Sequence, residues 1–577
     1  MKREMKQKGV TLIALVITII VLIILAGVAI NTLVGENGII TQAQRAKDET
    51  EQGQKEELGG LASLEQQLDE AIGNTFIKEK GVNKPRLAEG MKAIKFSQPN
   101  DTTKGEVEES SESDVEWYNY NDKKWANSQT EDGSMWVWIP RYAYRVDKDT
   151  QTFEVVFLIG TTDNYYDENG NIQTAKRCNS VDEEVDTKTG YTVHPAFTDE
   201  TAISYRNGGW NKELTGIWVA KFEAGYASGN NNATVKASSV SYTQSTSWVS
   251  AVERGQSVNG KETARNWLDG IYGSTTTAIK YPTFQGTTYS MNYINHNDAF
   301  NIAKAMTESG NIYGLNSGTD SHLMKNSEWG AVAYLSQSKY GLNGTDIAIN
   351  NINLNSGGTA RTNVEGKSSV DSVYAVTGCT TGSTSAGATV KTIDNINETT
   401  GNVSNNGVYT WNQKNGTTAS NTGTIYGIYD FCGGSYEKVA TYVANENENL
   451  KVYGSSITYD GSNLKTTSTR YTTTYPFDST TDNISIASND TNLNTASANN
   501  YKKNTLIYGD GIRETSMSGT ESTSWYDDHS TYIGLHGPFL LRGGNLWSKT
   551  NAGLFCFDCT DGNSHFSYGF RVTLVIS

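Results

Sequence analysis

Proline and cysteine are both scarce in this chain of 577 residues, at seven and five, and histidine is nearly as rare at six. Five cysteines leave an odd total, so no disulfide framework is specified. The histidines, at positions 194, 296, 322, 529, 536 and 565, show no metal-ligand spacing, and no nucleophile elbow or phosphate-binding loop is present. Cations are outnumbered, 47 Lys plus Arg against 63 Asp plus Glu, for a formal charge of −16. That balance argues against nucleic acid as a partner, because phosphate-backbone binding needs a basic face that releases counterions. What the chain does hold is 12 Trp, 32 Tyr and 15 Phe, large apolar groups that require a folded interior. Its length rules out one small domain and gives a prior of roughly three or four units. With 56 Gly, and Asn, Ser and Thr crowding the second half, the mix favours strands joined by polar turns over long helices.

Lys2, Arg3, Lys6 and Lys8 precede Gly9, and residues 10–34 then run 25 positions without a charged side chain. At about 1.5 Å per residue a helix over that run reaches roughly 37 Å, enough to cross a ~30 Å hydrocarbon core with some tilt. A cleavable secretory signal is the competing reading. It would have a shorter apolar region ended by a small-residue cleavage site, and Ala26-Gly27-Val28-Ala29 is a poor match. The cationic end stays in the cytoplasm, which predicts a single-pass membrane protein with everything after Val34 outside the cell. Residues 35–75 are expected to continue as a helical stalk, with Leu58, Leu61, Leu64, Leu68 and Ile72 spaced by three and four. Residues 76–130, holding Glu106, Glu108, Glu109, Glu112, Asp114 and Glu116, read as a solvated acidic linker.

The stretch Lys8-Gly9-Val10-Thr11-Leu12-Ile13, with the apolar run behind it, resembles the prepilin leader of type IV pilins and pseudopilins. The resemblance implies a leader at 1–9, a prepilin peptidase that cuts after Gly9, and methylation of the new terminus at Val10. The family usually places Glu at the fifth mature position, where this chain has Ala14. That Glu is understood to pair with a neighbouring subunit, so the departure puts polymerisation with other pilins in doubt and leaves anchoring untouched.

Beyond residue 131 the pattern sharpens. Trp136-Val137-Trp138-Ile139-Pro140, the run from Phe153 to Ile159 and the run from Gly216 to Glu223 read as strands. Helices are expected over 299–307, capped by Asn297 or Asp298, and over 328–335, capped by Asn326 or Ser327 with Glu328 at the positive helix end. The polar stretches 341–421 and 456–524 read as long surface insertions; an enclosed small domain is the alternative. The chain ends on Phe570-Arg571-Val572-Thr573-Leu574-Val575-Ile576, a strand that would close a sheet.

Four segments carry a second resemblance. They are Trp136 to Pro140; His322-Leu323-Met324-Lys325-Asn326-Ser327-Glu328-Trp329; Tyr426 through Glu437 with Gly433-Gly434; and Leu541-Arg542-Gly543-Gly544 through Gly569-Phe570-Arg571-Val572. In this order they resemble the formylglycine-generating (sulfatase-modifying) enzyme superfamily, a variant of the C-type lectin fold, over residues 131–577. The fold class implied is α+β: a long N-terminal helix plus a C-type-lectin-like domain with long polar insertions. The generating enzymes use a reactive cysteine pair shortly after the Gly-Gly, whereas here Asn545, Leu546, Trp547 and Ser548 follow and Cys556 and Cys559 come later. One Cys-x-x-Cys without a second pair or clustered His is a weak metal signal, so no enzyme activity and no cofactor are expected. A structural calcium ion near Asp430 and Glu437 remains from the resemblance, with Tyr436 in place of the usual Trp and Gly434 in place of the usual Asn.

Residues 542–571 form the candidate ligand-binding region. Period two would turn Phe555 and Phe557 inward and Cys556 and Asp558 outward, beside Asn545, Leu546, Trp547, Ser548, Cys559, Asn563, His565, Phe566 and Tyr568. This mixture resembles the variable region of proteins diversified by retroelements; an ordinary strand and loop of a non-diversified paralogue is the equal alternative. Exposed aromatic, imidazole and carboxylate groups suit binding, since rings bury area with few rotors and polar groups orient the ligand. The reading that follows is a membrane-anchored, surface-exposed, adhesin-like protein, Gram-positive in type, whose ligand is a protein or glycan on another cell or phage. The alternatives are a minor pilin or pseudopilin of a type IV pilus or type II secretion-like system, and a metal-dependent oxidase of the generating-enzyme type.

Overall fold

The computed structural model describes residues 76–177, 190–199, 208–225, 235–236, 278–279, 282–286, 288, 290–291, 294–350, 377–380, 409–477, 507–516, 522–534, 537–546, 548, 551–563, 565 and 567–576. The chain divides into residues 1–76 and 77–577, and the second unit is the one described. Gly9, Val10, the apolar run and the stalk lie outside the described residues. Among the described residues no helix is long and apolar enough to cross a membrane.

In chain order the main elements are β1 (Met91–Phe96), β2 (Val107–Glu109), β3 (Asn127–Thr130), β4 (Met135–Pro140), β5 (Tyr142–Asp147), β6 (Thr152–Phe157), β7 (Thr192–Val193) and β8 (Gly216–Ala220). There follow α1 (His296–Ala305), β9 (Thr319–Leu323), α2 (Asn326–Gln337), β10 (Tyr436–Val443), α3 (Glu448–Thr458) and β11 (Thr473–Tyr475). Last come β12 (Ser522–Thr523), β13 (His529–Ser530), β14 (Phe539–Arg542), β15 (Phe557–Thr560), β16 (Tyr568–Phe570) and β17 (Val572–Ile576). The architecture is mixed and strand-rich, with three α-helices among the described residues, in keeping with the α+β expectation.

One seven-stranded sheet runs β9-β17-β8-β4-β3-β1-β2, a second runs β11-β10-β14-β15-β13-β12 with β16 also on β10, and a smaller sheet runs β7-β5-β6. Strands β4 and β8 are buried on both faces, which their unbroken apolar sequences require, and pair in register through Trp138 and Trp218, whose rings lie 5.2 Å apart. Gly216 opposes Pro140 because a Cβ there would stand 2.4 Å from the Trp138 ring. The closing strand β17 lies inside the sheet next to the edge strand β9, antiparallel to both β8 and β9. Deleting residues 572–577 is therefore expected to abolish cooperative unfolding followed by circular dichroism, because two strands lose their shared partner.

Three expectations need correction. Residues 76–130 are not a linker: β1 and β3 pair antiparallel, and β2 adds to β1 with Glu109 opposite Ile94 and Glu108 opposite Lys95. Acidic residues fit there because β2 is the sheet edge, where charge faces water and blocks edge-to-edge association, while Lys95 and Lys84 pair with Asp114 and Glu112 at 2.9 and 2.6 Å. The described parts of 341–421 and 456–524 are not purely surface, since Ile347, Cys379, Trp411, Tyr475 and Asp510 are buried. Widely spaced anchors of this kind leave no periodic pattern to read. Both foreseen helices begin earlier, α1 capped by the Asn295 side chain and α2 by Lys325, whose backbone N–H donates to Glu328. Helix α3, capped by Asn447, was not foreseen; its Gly454 and β-branched residues are poor helix formers, and Gly454 lets the Phe539 ring approach within 2.4 Å of the Cβ position.

Candidate functional site

The two large sheets are joined by Arg571, which sits between β16 and β17. Its Nη1 donates to Ala220 O at 2.7 Å, Nη2 to Tyr429 O at 2.7 Å, and Nε and Nη2 to the Glu437 carboxylate at 2.6–3.1 Å, all fully buried. Asp430 beside it accepts from Gly378 N at 2.9 and 3.0 Å and from Asn350 Nδ2 at 2.8 Å. Glu223 accepts from Ser435 N at 2.8 Å and Ser290 Oγ at 2.5 Å. Burial, reinforced by Asp430 and Glu437, pushes the Glu223 carboxyl well above its usual range. The calcium expectation does not fit. N–H and guanidinium donors already occupy the carboxylates of Asp430 and Glu437 and would repel a cation, and no group of three His, Cys, Asp or Glu suited to a metal exists among the described residues.

This locked junction carries the candidate face. In the second sheet Lys438 of β10 lies opposite Leu541 of β14, and Leu541 lies opposite Asp558 of β15, so the three side chains share one face. Tyr436, two residues before Lys438, is on the same face at the sheet's end and aligns with Tyr568 of β16; the rings meet edge-on at 6.2 Å. His565 packs on Tyr568 at 4.7 Å and shares a hydrogen bond with Ser567 Oγ at 2.7 Å. Tyr436 reaches Ser548 and Cys556 through hydrogen bonds, and Asp558 stands 3.8 Å from the His529 ring. Asn545 and Ser548 brace each other through Asn545 N to Ser548 Oγ, 3.0 Å, and Ser548 Oγ to Asn545 Oδ1, 3.1 Å.

Of the sequence-derived residues, Asn545, Ser548, Asp558, Asn563, His565 and Tyr568 are half-buried; Ser548, Asp558 and Tyr568 neighbour Tyr436, Asn545 is tied to Ser548, and His565 packs on Tyr568. Trp547 and Phe566 lie outside the described residues. Leu546 is buried, held by its N–H to Gly434 O at 2.8 Å, and belongs to the frame. Cys556 is also buried, contrary to expectation: β15 begins only at Phe557, so Cys556 precedes its alternation, and the thiol is hydrogen-bonded to Tyr436. Cys559 lies opposite Leu540 on the reverse face from Asp558, its Sγ 2.8 Å from where a Gly537 Cβ would be. The inward expectation for Phe555 and Phe557 agrees with their complete burial.

Burial, then the charge of Asp558, raises the Cys559 thiol and the Tyr568 phenol each to about 12; burial also raises Cys556 and Tyr436. These groups are neutral donors at physiological pH, so the face offers hydroxyls, amides, an imidazole and one carboxylate. Tyr436, Lys438 and His529 were missed in the sequence reading. The only signal was Tyr436 at a position where the resembled family carries another aromatic. No protein-family model matches this chain, and no curated protein matches it.

Proposed function

We propose that this chain is a membrane-anchored, surface-displayed ligand-binding protein whose C-type-lectin-like domain is carried on a pilin-type N-terminal helix. The observation that carries the reading is the half-buried, chemically mixed set of Ser548, Asp558 and Tyr568 beside Tyr436, extended by Asn545 on Ser548 and His565 on Tyr568, next to the buried Leu546, Leu554, Phe555 and Phe557. Rigid rings flanked by polar groups are the composition with which recognition surfaces gain area at low entropic cost. The ordered motifs and the sheet-closing terminal strand support the lectin-like assignment, and the prepilin-like leader supports the anchor. The ligand class is a protein or glycan of another cell or phage.

The oxidase alternative needs a thiolate pair, and neither thiol supports it: Cys556 is fully buried, Cys559 lies on the reverse face, and burial keeps both protonated. The test is the triple variant Asn545→Ala, Asp558→Ala and His565→Ala in the full chain, assayed on glycan arrays and for whole-cell binding. Binding is expected to fall at least tenfold with an unchanged Tm, the scale of losing a few interface contacts. Undiminished binding would remove this face from the reading.

A further inference from the structure

Arg470 and Tyr471 form the tip of a tight hairpin. Thr469 and Thr472 exchange backbone hydrogen bonds at 3.0 and 3.2 Å, their hydroxyls meet at 2.8 Å, and the Tyr471 N–H donates to Thr469 Oγ1 at 3.2 Å. The far end of the Tyr471 ring is pinned as well, since its hydroxyl donates to Asp320 of β9 at 2.6 Å. Two cations then meet on this one ring. Lys304, in the last turn of α1, places its Nζ 3.5 Å from the ring centroid, and the Arg470 guanidinium carbon lies 4.6 Å from it. Their charges oppose each other, and among the described residues neither has a carboxylate within ion-pair reach. Asp320 is already engaged by His322 at 2.8 Å and by Tyr471, and Glu308, the other acid whose charge bears on Lys304, makes no ion pair with it. One turn back on α1, where positions three apart share a helix face, Asn301 is only 7% exposed and its Nδ2 has no hydrogen-bond partner. Two unpaired cations and an orphaned amide donor side by side are costly unless a negative group joins them.

We propose that Lys304 and Arg470, with the Asn301 carboxamide, bind an oxyanion: the carboxylate of an acidic sugar or the phosphate of a phosphate ester. A guanidinium fork can engage two oxygens of such a group while the ammonium attracts it as a point charge, and both kinds of contact are charge-assisted. Tyr471 is a positioning residue. Its hydroxyl is committed to Asp320, so it sets where the two cations stand without offering the anion a donor. The site is separate from the face around Tyr436. Helix α1 begins at His296, whose N–H donates to Gly562 O at 3.1 Å, and at 1.5 Å of rise per residue Lys304 stands about 12 Å further along. The oxyanion site is therefore independent of the binding-face reading.

Titration calorimetry on the detergent-solubilised full chain tests this, with glucuronate and glycerol phosphate as probes and glucose as the neutral control. At least one of the two anions is expected to bind about tenfold more tightly than glucose, and to weaken as ionic strength is raised. Preference for glucuronate assigns an acidic sugar, and preference for glycerol phosphate assigns a phosphate ester. Lys304→Gln and Arg470→Gln should each lower the affinity for the bound anion about tenfold, the scale of one charge-assisted hydrogen bond. Arg470 is exposed at the hairpin tip, so its variant keeps the fold and gives a clean reading even if Lys304→Gln does not. Neither anion binding better than glucose overturns the proposal without any variant, and an affinity unchanged in Arg470→Gln places the anion elsewhere and overturns the assignment. The triple variant Asn545→Ala, Asp558→Ala and His565→Ala should bind the anion as the wild type does, so failure of the binding face and failure of this site are read separately.

Discussion

Replacing Arg571 by Met is expected to destabilise the domain by about 3–5 kcal/mol, the cost of leaving a buried carboxylate without its partner. The side chain is fully buried, doubly bonded to Glu437, and is the only group in that set that neutralises the neighbouring carboxylates while capping Ala220 O and Tyr429 O. Equilibrium urea unfolding should show the loss as a lower midpoint. Arg571→Lys should recover little, because a single ammonium cannot span a carboxylate and two carbonyls at once. Adding Glu437→Gln to Arg571→Met should restore part of the stability by removing the orphaned charge, and a double variant no better than the single one would refute the ion-pair account.

The second large effect is expected at His322. Its Nδ1 lies 2.8 Å from Asp320 Oδ1 and its Nε2 2.9 Å from Glu328 Oε1, with the ring wholly buried against Trp210. Burial by itself would depress the imidazole, but the charges and hydrogen bonds of Glu328 and Asp320 overcome it and raise the pKa above the usual value. Both carboxylates are correspondingly held low by His322 against the opposing effect of burial, and Tyr471 donates to Asp320 at 2.6 Å.

The sign follows from which state binds the proton. A raised histidine contributes stability that is whole below its unfolded pKa of about 6.5 and is lost as pH climbs through the folded value. His322→Gln is therefore expected to cost about 3 kcal/mol or more near pH 6, since Glu328 is left buried without the imidazolium. The gap between wild type and variant should narrow as pH rises toward 9. Urea midpoints at pH 6, 7.5 and 9 measure it, and a gap that stays constant across them would exclude an imidazolium at this position.

How much of this was legible beforehand differs by element. Strands β4, β8 and β17 were readable because unbroken runs of apolar β-formers have one stable destination, a strand covered on both faces. Glu328 was readable as a helix-start acid from local order alone, although its main partner, His322, was not. The acidic stretch misled because charge density was weighed without knowing that a sheet edge would lie beneath it. Within the candidate site, the block after Gly544 supplied most of the half-buried residues. Its alternation was legible for Phe555 and Phe557 but not for Cys556, which is buried just ahead of the strand and hydrogen-bonded to Tyr436 of another strand.

By itself, then, the sequence determined the strand-rich interior, the poverty of metal and nucleophile motifs, and the position of a chemically mixed segment near the end, all of which follow from composition and local period. Tertiary structure alone decided that Lys438 meets His296 across 142 positions and that Arg571 meets Glu437 across 134. Such pairings depend on strand register and on how two faces pack, and a shift of one residue reverses every side chain without altering the local pattern that sequence reading uses.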